Sequence, residues 1–167
     1  MEIAILSDIH NHSKNLSRAL QSIQNEGIST VIFCGNFCSP EVIEQMGLCS
    51  LTIYAVFGDR DIDREPLKIA TNRHKSIFLQ GEYIGGEENP LILDNIRFGV
   101  SHYAFYAQTM IKTGWFDVVC YGQSQKAHKQ KFGISLLLNP GSIAGIDSEP
   151  SYAIFETKML SSRIVLF

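Results

Sequence analysis

An α/β fold built from βαβ units is what the sequence predicts, and three observations predict it. Short runs rich in Val, Ile, Leu, Phe and Tyr recur along the chain, stretches with helical apolar spacing separate the early ones, and turn residues punctuate the junctions. The 167 residues, 45% hydrophobic and 19% charged, suffice for one globular domain over 1–167 with a substantial core.

Residues 3–6, Ile-Ala-Ile-Leu, open the chain as a strand. Leu16, Ala19, Leu20 and Ile23 then fall at helical spacing, with Ser13 as the expected N-cap and Gly27 just beyond the end. A second strand covers 30–33. Ser39-Pro40 starts a second helix, since proline is tolerated at the first helical position, and Gly47 stops it. Strands at 51–57 and 76–79 follow. Asp94-Asn95, between Leu91-Ile92-Leu93 and Ile96-Arg97-Phe98, marks a hairpin turn leading into a strand at 96–100. Phe105, Tyr106, Met110, Trp115 and Phe116 surround a further helix, where they serve either core packing or a partner surface. Strands at 117–121 and 134–138 come next, and a hairpin pairing 152–156 with 163–167 closes the chain. The stretch 81–90, with Gly85-Gly86-Glu87-Glu88, is the expected mobile loop.

Composition excludes several classes of function. No apolar stretch approaches the ~18 residues needed to span a bilayer, and the chain enters its first strand without a basic leader, so a cytosolic protein is expected. A formal net charge of −3 leaves no basic field for nucleic acid. Cys34, Cys38, Cys49 and Cys120 lack a C-x-x-C arrangement and read as small apolar residues. His74 and His128 sit among polar and charged neighbours and read as solvated surface residues.

The residues that carry chemistry fall at strand ends. Asp8-x-His10 follows the first strand, where a carboxylate and an imidazole can grip one metal ion together. Gly35-Asn36, Gly58-Asp59-Arg60-Asp61, Ser101-His102 and Gly122-Gln123-Ser124-Gln125 each follow a later strand, and Asn139-Pro140-Gly141-Ser142 follows 134–138. In an open α/β sheet the ligand crevice lies outside the carboxyl ends of the strands, so these distant residues can meet. Any one alone reads first as a cap or a hydrogen-bonded loop residue; the ordered set points to a site. Arg60 can hold a phosphate oxygen, or simply pair with Asp61 or Asp63. His12 divides evenly between a pocket role and a helix-start role beside Ser13.

That ordered series resembles the calcineurin-like metallophosphoesterase signature, read as D-x-H, G-D, G-N, an isolated His and G-H-x-H. The resemblance covers nearly the whole chain, and the small size points to the compact bacterial and archaeal phosphodiesterase branch. It implies a four-layered α/β/β/α sandwich of mixed sheets flanked by helices, with a two-metal crevice that hydrolyses phosphodiesters. Carried over residue by residue, one metal would take Asp8, His10, Asn36 and Gln125, the other Asn36, Asp59, His102 and Gln123, with Asn139 and Ser142 in the loop beside them. Arg60 stands where the family's usual catalytic histidine follows G-N; the compact branch commonly lacks that histidine, so its absence alone decides nothing, and no catalytic residue is carried over.

Several replacements weaken the implied metal site. Asn36 and Asp59 read as an exchange of the family's Asp and Asn, which loses the bridging carboxylate, and Gln123 and Gln125 stand where two histidines are expected. Two dications ~4 Å apart repel by about 16 kcal/mol at an effective dielectric near 20, which a neutral Asn36 offsets little. The resemblance with these replacements therefore implies at most one weakly bound divalent ion, Mn²⁺ or Mg²⁺, or none. The segments Cys34-Gly35-Asn36-Phe37-Cys38-Ser39 and Phe57-Gly58-Asp59-Arg60-Asp61 are also similar to the small metallophosphoesterase-fold subunit of the retromer coat, which carries the same exchange and is regarded as a scaffold. Two expectations follow: a phosphodiesterase acting weakly on a phosphate ester, or a non-catalytic scaffold or phospho-ligand binder with a protein partner.

Overall fold

In the computed structural model, which describes residues 1–86 and 90–167, two mixed β-sheets pack face to face and helices cover both outer surfaces. Glu87 and Glu88, in the glycine-rich stretch expected to be a loop, lie outside the described residues; the neighbouring Tyr83–Ile84 is a short strand.

In chain order the elements are β1 (Glu2–Leu6), α1 (Ser13–Asn25), β2 (Thr30–Phe33), α2 (Pro40–Gly47), β3 (Thr52–Ala55), α3 (Arg64–Asn72), β4 (Ile77–Leu79), β5 (Tyr83–Ile84), β6 (Leu91–Leu93), β7 (Ile96–Ser101), α4 (Ala104–Lys112), β8 (Val118–Tyr121), β9 (His128–Phe132), β10 (Ser135–Asn139), β11 (Ser151–Glu156) and β12 (Ser161–Leu166). The first sheet runs β12-β11-β1-β2-β3-β4, with β1 to β4 mutually parallel, β11 antiparallel to β1 and β12 antiparallel to β11. The second runs β5-β7-β8-β10-β9, parallel through β7, β8 and β10, with β6 added antiparallel to β7. Both sheets are thus mixed, because hairpins, which need only a short turn, close their edges while helical crossovers build their centres.

The period-two geometry of β1 sorts its side chains into two cores. Ala4 and Leu6 join Leu16, Leu20 and Ile23 of α1 and Val42, Ile43 and Met46 of α2 on the helix side. Ile3 and Ile5 face the second sheet and meet Phe98, Val118, Cys120, Leu138 and Phe155 in the layer between the sheets. A third cluster, Ala107, Ile111, Phe116, Val119, Tyr121 and Leu137, binds α4 to the outer face of the second sheet. Three apolar layers between four layers of structure are the α/β/β/α sandwich. Each fully buried Leu or Ile contributes about 1.5–3 kcal/mol by leaving water.

Several local expectations change. The first helix is capped by His12 rather than Ser13: His12 Nδ1 accepts the N–H of Asn15 at 3.3 Å, while the Ser13 hydroxyl donates to Gln45. His74 is half-buried against α2, 2.8 Å from Glu44, instead of free on the surface. His128 is exposed on β9 and lies 3.1 Å from the Tyr121 hydroxyl. The aromatic stretch around α4 splits: Phe116 is core, whereas Phe105, Tyr106 and Trp115 are exposed. The helix α3 and the strand β9 add to the elements the sequence predicts.

Candidate functional site

The carboxyl ends of β1, β2, β3, β7 and β8 meet at one edge of the sandwich, and residues that follow β1, β2 and β8 bend into left-handed backbone. Asp8, His10, Asn36, Cys38, Gln123 and Gln125 all have positive φ, between 45° and 71°. This conformation disfavours side chains with a Cβ, so its concentration here reflects loops held by their surroundings rather than by local preference. Glycines make the close approach available. A Cβ on Gly58 would stand 2.1 Å from Asn36 Oδ1, and one on Gly122 would stand 2.1 Å from Ser7 Oγ and 2.9 Å from His102 Nδ1.

Asp8, His10, Asn36, Asp59 and His102 come together, with Asn36 at the centre. Its side-chain N–H groups donate to Asp8 Oδ1 and Asp59 Oδ1, both at 2.9 Å, and His102 Nε2 lies 3.2 Å away. Its amide oxygen accepts the backbone N–H of Arg60 at 2.9 Å. Turning the amide over would aim its oxygen at two carboxylates and its nitrogen at an N–H donor, so this network fixes the orientation.

Two carboxylate–imidazole pairs flank that amide. His10 Nε2 lies 3.1 Å from Asp8 Oδ1, and its other ring nitrogen is 3.7 Å from Cys38 Sγ. The hydrogen bond to Asp8 above all, and then the contact with Cys38, outweigh burial and raise the His10 pKa from 6.5 to about 9. Asp8 is fully buried and its second oxygen accepts the Ser7 hydroxyl at 2.8 Å. On the other side, His102 Nε2 lies 3.0 Å from Asp59 Oδ1, while His102 Nδ1 donates to the carbonyl of Cys34 at 2.8 Å. That second contact turns Nε2 toward the crevice, as outer partners of metal-binding histidines do. Burial pushes the Asp59 carboxyl upward, but the Asn36 hydrogen bond and the nearby His102 and Arg60 hold it below the usual carboxylate range.

The remaining sequence candidates support the site or border it. Asn139, fully buried, donates to the Gly122 carbonyl at 2.7 Å and accepts the Gly141 N–H at 2.9 Å. Ser142 donates to the Asp8 carbonyl at 3.1 Å, so its loop clamps the backbone of Asp8. Gln123 does not turn toward the metal-ligand candidates: it is exposed, and its side-chain oxygen accepts the N–H of Ala104 at 3.0 Å. Helix α4 starts there, and its first N–H groups have no partner within the helix. Gln125 carries a buried side-chain oxygen that no donor among the described residues satisfies. His12 serves the start of α1.

Arg60 projects outward, 68% exposed, with Nε 4.0 Å from Asp59 Oδ2. It does not pair with Asp61. That carboxylate is buried and accepts three backbone N–H groups, from Asn36 at 2.9 Å, Gly58 at 2.8 Å and Cys38 at 2.8 Å. Asp61 thereby ties the turns after β2 and β3 into one unit. Sequence reasoning missed this role, and missed Ser7; the only signal was an acidic residue three positions after a glycine turn.

These donors fit one divalent ion better than two. An O···N spacing of 3.0–3.1 Å in each pair matches two adjacent ligands of an ion bound at ~2.1 Å, whose edge is about 3.0 Å. Each pair supplies only two ligands, and among the described residues no group of three or more His, Cys, Asp or Glu side chains converges to hold a metal. Between the pairs, where two ions would share an anion, stands the N–H side of a neutral amide.

A family model, the calcineurin-like phosphoesterase superfamily domain, matches residues 1–159. Phosphodiesterase MJ0936 of Methanocaldococcus jannaschii is 28% identical over 169 residues, which cover 99% of each chain. A solved archaeal phosphodiesterase superposes with a TM-score of 0.89 at 27% identity over 100% of both chains. Vacuolar protein sorting 29 from Cryptosporidium parvum shares the fold, with a TM-score of 0.67 at 17% identity over 99% of this chain and 96% of that one.

Proposed function

The chain belongs to the calcineurin-like phosphoesterase superfamily, and from that premise we propose that it binds phosphodiesters in the family crevice while its metal-dependent hydrolysis is weak or lost. One observation carries the reading: the Asn36 amide donates to Asp8 and Asp59 from the position between the two ligand pairs. A donor there satisfies the two carboxylates internally and competes with a cation for the same oxygen atoms.

Asp59 and His102 are the pair we assign to a single Mn²⁺ or Mg²⁺, because His102 is already oriented by Cys34 and Asp59 is open to solvent. A divalent ion bound there would supply a Lewis acid for a phosphoryl oxygen and an acidified water. The chain's own residues do the rest. Arg60, exposed beside Asp59, presents a planar guanidinium to a phosphate oxygen. Asn36 keeps both carboxylates engaged, so less negative charge confronts the ester. Asn139 and Ser142 hold the Gly122 and Asp8 backbones in place.

A second reading, a non-catalytic scaffold with a protein partner, is favoured by the exposed Phe105, Tyr106 and Trp115 around α4. No helix among the described residues is long and apolar enough to cross a membrane, and we propose a cytosolic location. The test is hydrolysis of bis(4-nitrophenyl) phosphate by purified protein in excess Mn²⁺, paired with titration of Mn²⁺ by calorimetry. We expect slow turnover that His102→Ala abolishes, or none, with no more than one ion bound. Fast turnover with two ions held at modest Mn²⁺ would overturn the proposal.

A further inference from the structure

A chain of aromatic contacts links the candidate site to an apolar groove. His102 ends the turn after β7, and its ring meets Tyr103 edge to face at 5.5 Å; Tyr103 meets Tyr106 in the same manner at 5.6 Å. Tyr106 lines a groove of about 300 Å³ whose walls include Tyr83, Met110, Trp115 and Phe116. A second link joins the groove to the site, because Tyr83 of β5 is paired in register with Ser101, the residue before His102. Tyr83, Tyr106 and Trp115 are 58%, 44% and 43% exposed, so they are not spent on the core.

Of the four hydroxyl side chains on the groove's walls, the two threonines are engaged elsewhere. Thr109 donates to the Phe105 carbonyl at 3.0 Å, and Thr113 donates to the Met110 carbonyl at 2.7 Å while accepting the Trp115 N–H at 3.2 Å. Both hydroxyls are turned back into their own helix or the residue just after it. A flat hydrocarbon ring would meet aromatic edges and a methionine there.

Resting on the phosphodiester-binding reading above, we propose that the ligand class is aryl phosphoesters: the phosphate lies at Asp59, His102 and Arg60, and the aryl group lies along Tyr103 and Tyr106 into the groove. Tyr103 sets the direction, since it is the aromatic residue in contact with both the ligand-pair imidazole and the groove wall.

The experiment compares the binding of diphenyl phosphate and dimethyl phosphate, two monoanionic phosphodiesters, by calorimetry in excess Mn²⁺. Diphenyl phosphate is expected to bind at least about tenfold more tightly, as one or two aromatic contacts provide. Tyr106→Ala should collapse that ratio, and Trp115→Ala provides a second test should the first variant fail to fold. Equal affinity of the two esters would overturn the aryl assignment and leave the phosphate crevice standing. Binding of neither would sink the crevice reading as well. A dimer that Tyr106→Ala dissolves would also overturn the assignment, giving the groove to a second copy of the chain.

Discussion

Asn36 donates its side-chain N–H to the fully buried carboxylate of Asp8 at 2.9 Å, a contact that satisfies Asp8 from within the protein. The same amide reaches Asp59 at 2.9 Å, so one neutral group holds two anions apart and quiet.

Replacing Asn36 by Asp makes that contact repulsive. Without metal, Asn36→Asp should lose stability, since each facing carboxylate adds on the order of 4 kcal/mol of repulsion before relaxation. Adding Asp59→Asn relieves one of the two repulsions and restores a shared anion. The double variant should bind Mn²⁺ at least about tenfold more tightly than the native chain, read by calorimetry and by the Mn²⁺-dependent rise in melting temperature. No gain in affinity would show that Asn36 is not the bridging position.

The His10 imidazole should titrate near pH 9 by NMR, raised from 6.5 by the Asp8 carboxylate. Because the folded state favours the charged ring, the resulting stability is fully present below about pH 6.5 and is lost as pH rises through about 9. Urea titrations across that window should show falling stability, and His10→Gln should flatten the slope. A native ring titrating at its ordinary value would refute the Asp8 pairing.

Asp61→Ala removes three acceptors at once. It should cost roughly 3–6 kcal/mol, because three backbone N–H groups lose their charged partner and the turns after β2 and β3 come untied. Asp61→Asn, which keeps one oxygen, should recover part of this. Urea unfolding measures both; a loss below about 1 kcal/mol for the alanine variant would contradict the role assigned to this carboxylate.

Gly122→Ala inserts a methyl where Ser7 and His102 already stand. A destabilisation of about 1–3 kcal/mol is expected. The His102 Nδ1–H resonance should also move, because the ring must shift from the Cys34 carbonyl. An unchanged resonance would indicate that the turn after β8 is not packed on the site.

Much of this architecture is legible in the sequence because apolar period and turn chemistry agree. β1, α1, β2 and α2 carry uninterrupted signals, from Ile3 through Met46, and the motif residues fall where such strands end. The missed elements lack that agreement. The helix α3 buries only Leu67, Ala70 and Thr71 of its nine residues, and β9 is an almost wholly exposed edge strand, His-Lys-Gln-Lys-Phe, held by its pairing with β10. Its lysines are what an unpaired edge uses to discourage further pairing.

At the site, spacing brought Asp8, His10, Asn36, Asp59 and His102 together but could not say where each side chain turns. Gln123 was expected to face the others. It faces Ala104, because a helix begins there and its first donors need acceptors. In sequence, Asp61 reads only as a carboxylate with which Arg60 can pair. Only its burial beneath three N–H groups reveals it as a tie between turns. His12 and Ser13 are adjacent hydrogen-bonding residues, and the choice of cap depended on Gln45 of α2, far along the chain, taking the serine hydroxyl.

The rim wound from Asp8, His10, Asn36, Cys38, Gln123 and Gln125 in left-handed backbone has a mechanical meaning. Each such residue holds about 1 kcal/mol that unwinding would release. The molecule should therefore start to open at this lip while the sheets beneath remain shut, and tightening the lip is the shortest route to a sturdier protein.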